Sequence, residues 1–347
     1  MLKVILYDFL VISTLSIFTF LILDALITKV YRPKSFSNFV ESNEKVGFIN
    51  RREFVGRFGG PLDEFSNIVS IDSYGNRKFS SRKCNLPQKK SEYKNLVFIG
   101  DSMLAGFEVE DSDLYVSKLS QRCISNGLII NGGVRAHDTH MASANAVRIF
   151  RELNLQEFNT VFVYGLTWND FYENDNKNIY FNIKARFGSI FDQKKYKPKA
   201  NLNYLRLRTF IADNFYFTTK LIFYMQSSYV ESNYQKAIKP KKCNKVFSIF
   251  DSTFSAESIE SKVLIFVHPN FYDLEVTKLI ENCLISQSKY YDQITIIPIH
   301  SFMKEKLDKV DYKDFMFKKD PHYTAKGHAF ISEIIMPKLE HQLSKNN

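Results

Sequence analysis

Five short, almost wholly apolar runs are spaced along the chain from residue 96 onward. They are Leu96-Val97-Phe98-Ile99, Leu128-Ile129-Ile130, Val161-Phe162-Val163-Tyr164, Val263 to Val267, and Ile294 to Ile299. Runs this short with both alternate positions apolar are strands buried on both faces. Between them lie segments with helical spacing: Asp113 to Cys123, Met141 to Leu153 with Ala142, Ala146, Ile149 and Phe150 on one stripe, and the set Val276, Leu279, Ile280, Cys283. A last helix carries Ile331, Ile334 and Ile335 and meets Pro337. Strands alternating with helices predict an α/β fold, with a parallel sheet covered on both sides. Reactive groups then collect at the carboxyl ends of the strands. No internal repeat or low-complexity tract interrupts this pattern.

The amino terminus is a different kind of segment. From Val4 to Ile27 it is nearly all apolar, with Asp8 and Asp24 near its two ends. That length spans a bilayer core as a helix. A secretory signal is the rival reading. The run exceeds a usual signal core and no small-x-small cleavage site follows it, so an uncleaved transmembrane helix held by membrane lipid is expected. Lys29, Arg32 and Lys34 follow the span and only Lys3 precedes it. Taken alone, those flanks place the main domain in the cytoplasm, although the preceding flank is too short to count charges well.

Residues 35–93 read as an irregular lead-in packed on the main domain. Gly59-Gly60-Pro61 and Tyr74-Gly75-Asn76 supply turns, and Asn67 to Ile71 a short strand. Residues from about 171 to 260 interrupt the alternation and read as a helical insertion. It includes Tyr204-Leu205-Arg206-Leu207-Arg208 and an aromatic-rich stretch, Phe215 to Tyr224. The latter is a lid, a membrane-touching surface, or a helix packed on the core, the last being favoured.

Net charge is +10, but the positive charge lies in scattered clusters: Lys89-Lys90, Lys194-Lys195 and Lys239-Pro240-Lys241-Lys242. No basic stripe interleaves with stacking aromatics, so no nucleic-acid partner is expected. The four cysteines, Cys84, Cys123, Cys243 and Cys283, form no CxxC pair, which argues against a zinc knuckle or a redox motif. Cys123 and Cys283 fall on apolar helix faces and read as core. Cys84 and Cys243 fall in polar surroundings and are candidates to pair in an oxidising compartment.

Four short segments adjoin predicted elements and carry chemistry. Gly100-Asp101-Ser102 follows the first strand and Asn131-Gly132-Gly133 the second. Thr167-Trp168-Asn169-Asp170 follows the third, and Asp320-Pro321-His322 precedes the last helix. Acyl transfer needs a nucleophile, a base, a group that orients the base, and donors for the oxyanion. Ser102 supplies a hydroxyl held at a strand end. His322 is placed to take and return its proton, and Asp320 to fix the imidazole tautomer. The N–H groups of Ser102 and Gly133 and the amide of Asn169 are the oxyanion candidates, each worth about 3 kcal/mol of transition-state stabilisation. Asp101 and Asp170 read as structural hydrogen-bond acceptors and Trp168 as core. His137 and His140 read as part of a surface helix start, because no third metal ligand accompanies them.

The ordered set Gly-Asp-Ser, Asn-x-Gly, Asn-Asp and Asp-x-His resembles the blocks of the SGNH (GDSL-type) hydrolase superfamily, over residues 94 to the C-terminus. The resemblance implies a flavodoxin-like three-layer α/β/α sandwich. It implies Ser102 as nucleophile, Ser102, Gly133 and Asn169 as the oxyanion hole, and Asp320 and His322 as the remaining triad members. Gly133, not Gly132, fits the family's Asn-x-Gly spacing. The small residues usual after that block are replaced here by His137-Asp138-Thr139-His140.

The resulting expectation has three parts: residues 1–34 as the anchor, 35–93 as the lead-in, and 94–347 as the hydrolase domain. The expected activity is removal of O-acyl groups from a carbohydrate or similar ester, with no cofactor and no metal. An O-acyltransferase acting on an envelope polysaccharide, and a non-catalytic anchored binding protein, are the alternatives. The resemblance and the anchor together favour the extracytoplasmic side, against the flanking charges.

Overall fold

The computed structural model describes residues 2–31, 39–59, 63–79, 95–125, 127–168, 170, 214, 215, 217, 218, 221, 240–307, 312–318 and 320–344. Its centre is a five-stranded sheet, all parallel. The strands are β5 (Asn95–Gly100), β6 (Ile129–Asn131), β7 (Thr160–Leu166), β8 (Lys262–Val267) and β9 (Ile294–Ile296), in the order β6-β5-β7-β8-β9. Counted within the sheet this is 2-1-3-4-5, the flavodoxin-like arrangement. The expected fifth run to Ile299 is shorter as a strand, because a helix begins at His300.

Alternate residues of each strand feed two cores, as the two-residue period of a strand requires. Val97, Ile99, Phe162, Tyr164, Val263, Ile265, Ile294 and Ile296 join one cluster, which is covered by α4 (Thr139–Glu152), α5 (Pro240–Ala256) and α6 (Leu274–Ser288). Leu96, Phe98, Val161, Val163, Leu264 and Phe266 join the other. That face is covered by α3 (Tyr115–Gln121), α8 (Ala325–Ser344) and Met303 of α7 (His300–Leu307). The predicted three layers are therefore present.

Helix α5 corrects the extent of the expected insertion. Val246, Phe247, Phe250 and Phe254 lie in the sheet core, and α5 packs beside both α4 and α6. It is thus the crossover connection into β8. The Lys-rich start of this helix disguised it as loop, although Pro240 suits a first helical turn. Residues 171–213, with the stretch Tyr204–Arg208, lie outside the described residues.

The cysteine expectation also changes. Cys243 is buried on α5 and bonded to Cys283 on α6, across 40 residues of chain. It does not pair with Cys84, which lies outside the described residues. Cys123 is disulfide-bonded as well.

The lead-in is more ordered than expected. It holds two antiparallel hairpins: β1 (Val40–Asn43) with β2 (Gly47–Asn50), and β3 (Val55–Gly59) with β4 (Ser66–Ser70). Their short strands lack clean alternation, so only β4 was legible. Phe48 and Ile49 pack on Val134 and Met141, and Phe39, Val69 and Ile71 on Ala105 and Phe107. Arg77 N–H donates to Asn131 O at 2.9 Å, extending the sheet past edge strand β6.

Helix α1 (Leu2–Tyr31) contains a 24-residue stretch, Tyr7–Val30, long and apolar enough to cross a membrane. At 1.5 Å per residue it exceeds the roughly 30 Å of a bilayer core. Phe9, Ile12, Leu15, Phe18 and Val30 are exposed. Asp24 is buried and accepts from Phe217 N and Thr218 N (both 2.9 Å) and Thr218 Oγ1 (2.7 Å). The described part of the aromatic-rich stretch thus meets α1.

Candidate active site

The loops after β5, β6 and β7 and the turn before α8 carry the residues singled out in the sequence. Strand order reverses between β5 and β7, the place where doubly wound sheets open a crevice. Ser102 opens the four-residue helix α2 (Ser102–Ala105), directly after β5. Asp101 caps it, accepting from Met103 N at 3.0 Å with Oδ1. Its Oδ2 accepts from Ser102 Oγ at 3.3 Å and from Thr167 Oγ1 at 3.1 Å. Gly106 ends α2 in the left-handed conformation, φ 58°, and a Cβ there would lie 2.3 Å from Leu114 Cδ2. The left-handed backbone strains any side chain at that turn, and Leu114 crowds it.

The Asp-x-His turn is tied down at both ends. Phe317 N–H donates to His322 O (3.1 Å) and Thr324 N–H to Phe315 O (3.0 Å), while Tyr323 Oη donates to Pro269 O (2.7 Å). The His322 Nδ1–H donates to Asp320 Oδ1, as expected. This leaves Nε2 as the nitrogen available for proton exchange. The His322 side chain is 12% exposed.

Two further residues belong to this cluster. Glu108, in the loop six positions after Ser102, places Oε1 3.5 Å from His322 Nδ1, and its side chain is 1% exposed. The same Oε1 is ion-paired to Arg135, two residues past Gly133. The Arg135 guanidinium stacks over the Phe58 ring of β3 at 4.8 Å. Burial alone lowers the His322 pKa and Arg135 adds to that. The charges of Glu108 and Asp320, with the Asp320 hydrogen bond, outweigh both and hold the pKa above its ordinary value. Glu108, Asp320 and His322 each offer a donor atom within 4.8 Å of the others. Of these three, Glu108 also pairs with the Arg135 guanidinium.

The loop that follows the Ser102 helix reaches the Asp320–His322 pair through Glu108. The Ser102 hydroxyl itself points to Asp101 and makes no hydrogen bond to His322. Its own N–H has no hydrogen-bond partner among the described residues. Gly133 departs from expectation in detail: its N–H donates to Asn131 Oδ1 at 3.0 Å, and its carbonyl accepts from Asn50 Nδ2 at 2.9 Å. Asn131 Nδ2 also donates to Leu104 O, at 3.1 Å, tying the Gly133 turn to α2. A Cβ at Gly133 would sit 2.6 Å from Ala105 N, so only glycine allows this approach. Asn169 lies outside the described residues.

The structural roles read from sequence hold for the two other acids. Asp101 is the cap described above. Asp170 Oδ2 accepts from Tyr164 Oη (2.8 Å) and Thr167 N (3.0 Å). Trp168 packs partly buried against the core. Asp138 caps α4 as a helix start, but His137 beside it is buried and bonded through Nε2 to Phe48 O at 2.9 Å, so it is not a surface residue. His328 Nδ1 accepts from Tyr115 N at 3.4 Å. Neither ring nitrogen of buried His268 has a hydrogen-bond partner among the described residues. Burial pushes the pKa of all three of these imidazoles down to about 3.

Sequence reasoning missed Glu108 and Arg135. Neither sits in a recognisable block. The available signal was a pair of opposite charges a few residues past the Gly-Asp-Ser and Asn-x-Gly segments.

No family model and no curated protein matches the chain. Solved structures do resemble it, and several are of GDSL or SGNH-family proteins. A lipolytic protein of the G-D-S-L family from Veillonella parvula DSM 2008 is 10% identical, with a TM-score of 0.41, covering 70% of this chain and 97% of its own. The psychrotrophic esterase EstA from Pseudoalteromonas sp. is 12% identical, with a TM-score of 0.41 and coverages of 73% and 100%. An acetyl-xylooligosaccharide esterase from Geobacillus, in mutant form, is 9% identical, with a TM-score of 0.35 and coverages of 71% and 94%.

Proposed function

We propose that this chain is a membrane-anchored serine esterase or deacylase that removes O-acyl groups from a carbohydrate or similar ester. One observation carries the reading: the His322 imidazole has Nδ1 bonded to Asp320 and lies against Glu108, from the loop that follows the Ser102 helix. That pre-set tautomer directs the other nitrogen to proton transfer.

In the proposed reaction the Ser102 hydroxyl turns from Asp101 toward His322 Nε2 by rotation about χ1. As Oγ attacks the ester carbonyl, its proton passes to Nε2 and a tetrahedral oxyanion forms. The unpartnered Ser102 N–H is a donor for that oxyanion, with Asn169 as a second. Collapse transfers the proton from Nε2 to the leaving alcohol and leaves an acyl-serine. Water then repeats the sequence, with His322 again as base, and releases the acid. Gly133 joins the oxyanion hole only if its N–H is shared with, or freed from, Asn131.

Anchoring through α1 and an oxidising compartment agree with each other. Two cysteines join neighbouring helices, and such bonds persist outside the reducing cytoplasm. We therefore place the domain on the extracytoplasmic side. An acylated glycan fits an anchored enzyme facing the envelope.

The decisive experiment is hydrolysis of an aryl acetate by the full-length protein in detergent. Ser102→Ala should abolish turnover while leaving the thermal midpoint in place, and full activity in that variant would refute the reading. Supplying a glycan acceptor separates hydrolysis from acyl transfer, because transfer moves the acetyl group to a sugar hydroxyl and releases less acetate.

A further inference from the structure

The loop between α2 and α3 is built to hold one carboxylate in place. Gly106 turns it, Phe107 is fully buried against Phe39 and Phe58, and the buried Arg77 clamps its far side. Arg77 Nη2 is 2.7 Å from Asp111 Oδ1 and 3.3 Å from Val109 O. Between those fixed points stands Glu108, which has almost no contact with solvent. A buried carboxylate carries a desolvation cost that only paired charges offset. Its partners are Arg135 on one side and His322 on the other. Its second oxygen, Oε2, has no hydrogen-bond partner among the described residues, so the group is not spent on holding backbone.

We propose that Glu108 is a second positioning carboxylate for the proton-transfer histidine, flanking His322 Nδ1 together with Asp320 and coupling the ring through Arg135 to the loop after β6. The proposal rests on Ser102, His322 and Asp320 acting as the catalytic set. During attack the imidazole becomes an imidazolium, and two carboxylates then face its Nδ1–H edge. Arg135, locked over Phe58, pairs with Glu108 in its dry site and limits how far the ring's basicity rises. The charged and titratable groups around His322 are Asp320 from its own turn, Glu108 from the loop after α2, Arg135 from the loop after β6, and His328 from α8, which interacts with it electrostatically.

The test is an NMR titration of His322 in the full-length protein in detergent, set beside the pH profile of kcat/KM for an aryl acetate. Glu108→Gln should lower the His322 midpoint by about one pH unit or more, the usual effect of losing a charge this close. The acid limb of the profile should move with it, and Glu108→Asp should restore much of the shift. An unmoved His322 midpoint in Glu108→Gln overturns the proposal. So does an equal loss of activity at every pH with no movement of the limb. If Glu108→Gln does not fold, Asp320→Asn decides. With Glu108 still beside Nδ1 it should lose less than about a hundredfold in kcat/KM, and a loss near the 10⁴-fold seen when a triad acid acts alone overturns the proposal. The NMR midpoint needs no turnover. An active Ser102→Ala enzyme would therefore refute the esterase reading while the Glu108–His322 coupling was still measured.

Discussion

Thr167 Oγ1 donates to Asp101 Oδ2 at 3.1 Å, and this bond joins the loop after β7 to the loop that carries the nucleophile. Both residues are buried. Asp101 also caps α2 and accepts from the Ser102 hydroxyl, so one carboxylate fixes the start of the helix, the neighbouring loop and the serine rotamer. Thr167→Val removes one of these bonds and should cost about 1 kcal/mol. Asp101→Ala removes the cap and strands two buried donors, so a loss of about 2–4 kcal/mol is expected. Urea denaturation of the two variants checks the order. Equal stability of Asp101→Ala and the parent would contradict the capping role.

Reduction should matter to the fold more than to the chemistry. The Cys243–Cys283 bond closes a 40-residue loop, and a loop of that size contributes about 2–4 kcal/mol through the unfolded chain. Cys243→Ser with Cys283→Ser should lower the denaturation midpoint by that amount, yet leave the pH profile of ester hydrolysis in place. Mass mapping of the oxidised protein should find these two cysteines in one linked peptide. Finding Cys243 linked to Cys84 would overturn the pairing.

The buried imidazoles set an acid limit on stability. His137, His268 and His328 are held neutral to about pH 3 in the fold, whereas in the unfolded chain they protonate near 6.5. The unfolded state therefore binds more protons below 6.5, and stability falls as pH drops from about 6.5 toward 3. His322 has the opposite sign. Its raised pKa adds stability that is fully present below 6.5 and fades as pH climbs through the folded value. Among these four imidazoles, three against one give a net loss on acidification. His268→Leu removes one of the three and should make the slope of stability between pH 6.5 and 4 shallower by up to about 1.4 kcal/mol per pH unit. An unchanged slope would mean that His268 already titrates in the fold.

His322 also shapes the activity profile. The base must be neutral, so kcat/KM should rise with pH through a value above 6.5 and level off in the alkaline range. A limb centred well below 6.5 would contradict the carboxylate environment.

Deleting residues 2–31 should move the protein from the membrane pellet to the soluble fraction after alkaline carbonate extraction. Full-length protein should stay in the pellet, since a largely apolar 24-residue span buries far more hydrocarbon than a surface helix does. Release of the full-length chain by carbonate would favour a cleaved or peripheral segment. Proteolysis of intact cells, with the anchor in place, reads the side on which the domain lies.

Much of the architecture was legible because its signals are local. Val97, Phe98, Val163 and Ile265 sit in short runs apolar on both faces, and such runs have few alternatives to a covered strand. Ser102, Asp320 and His322 were singled out the same way, each within a few residues of an element boundary. Helix α5 escaped because Lys241 and Lys242 hid an apolar face that begins only at Cys243. The pairing of Cys243 with Cys283 escaped because it depends on two helices lying side by side over the sheet.

The residues alone determined a parallel α/β chain with an apolar leader, a serine after its first sheet strand and an acid–histidine turn before its last helix. Periodicity and short spacing are properties of the covalent chain, and they survive without knowledge of what touches what. Only the tertiary structure decided that Glu108 and Arg135 close around His322, that Gly133 gives its N–H to Asn131, and which cysteines meet. Apart from the Gly133–Asn131 turn, those outcomes join segments tens to hundreds of residues apart, and their energies come from burial and charge at a distance of a few ångströms, which exists only once the sheet has assembled.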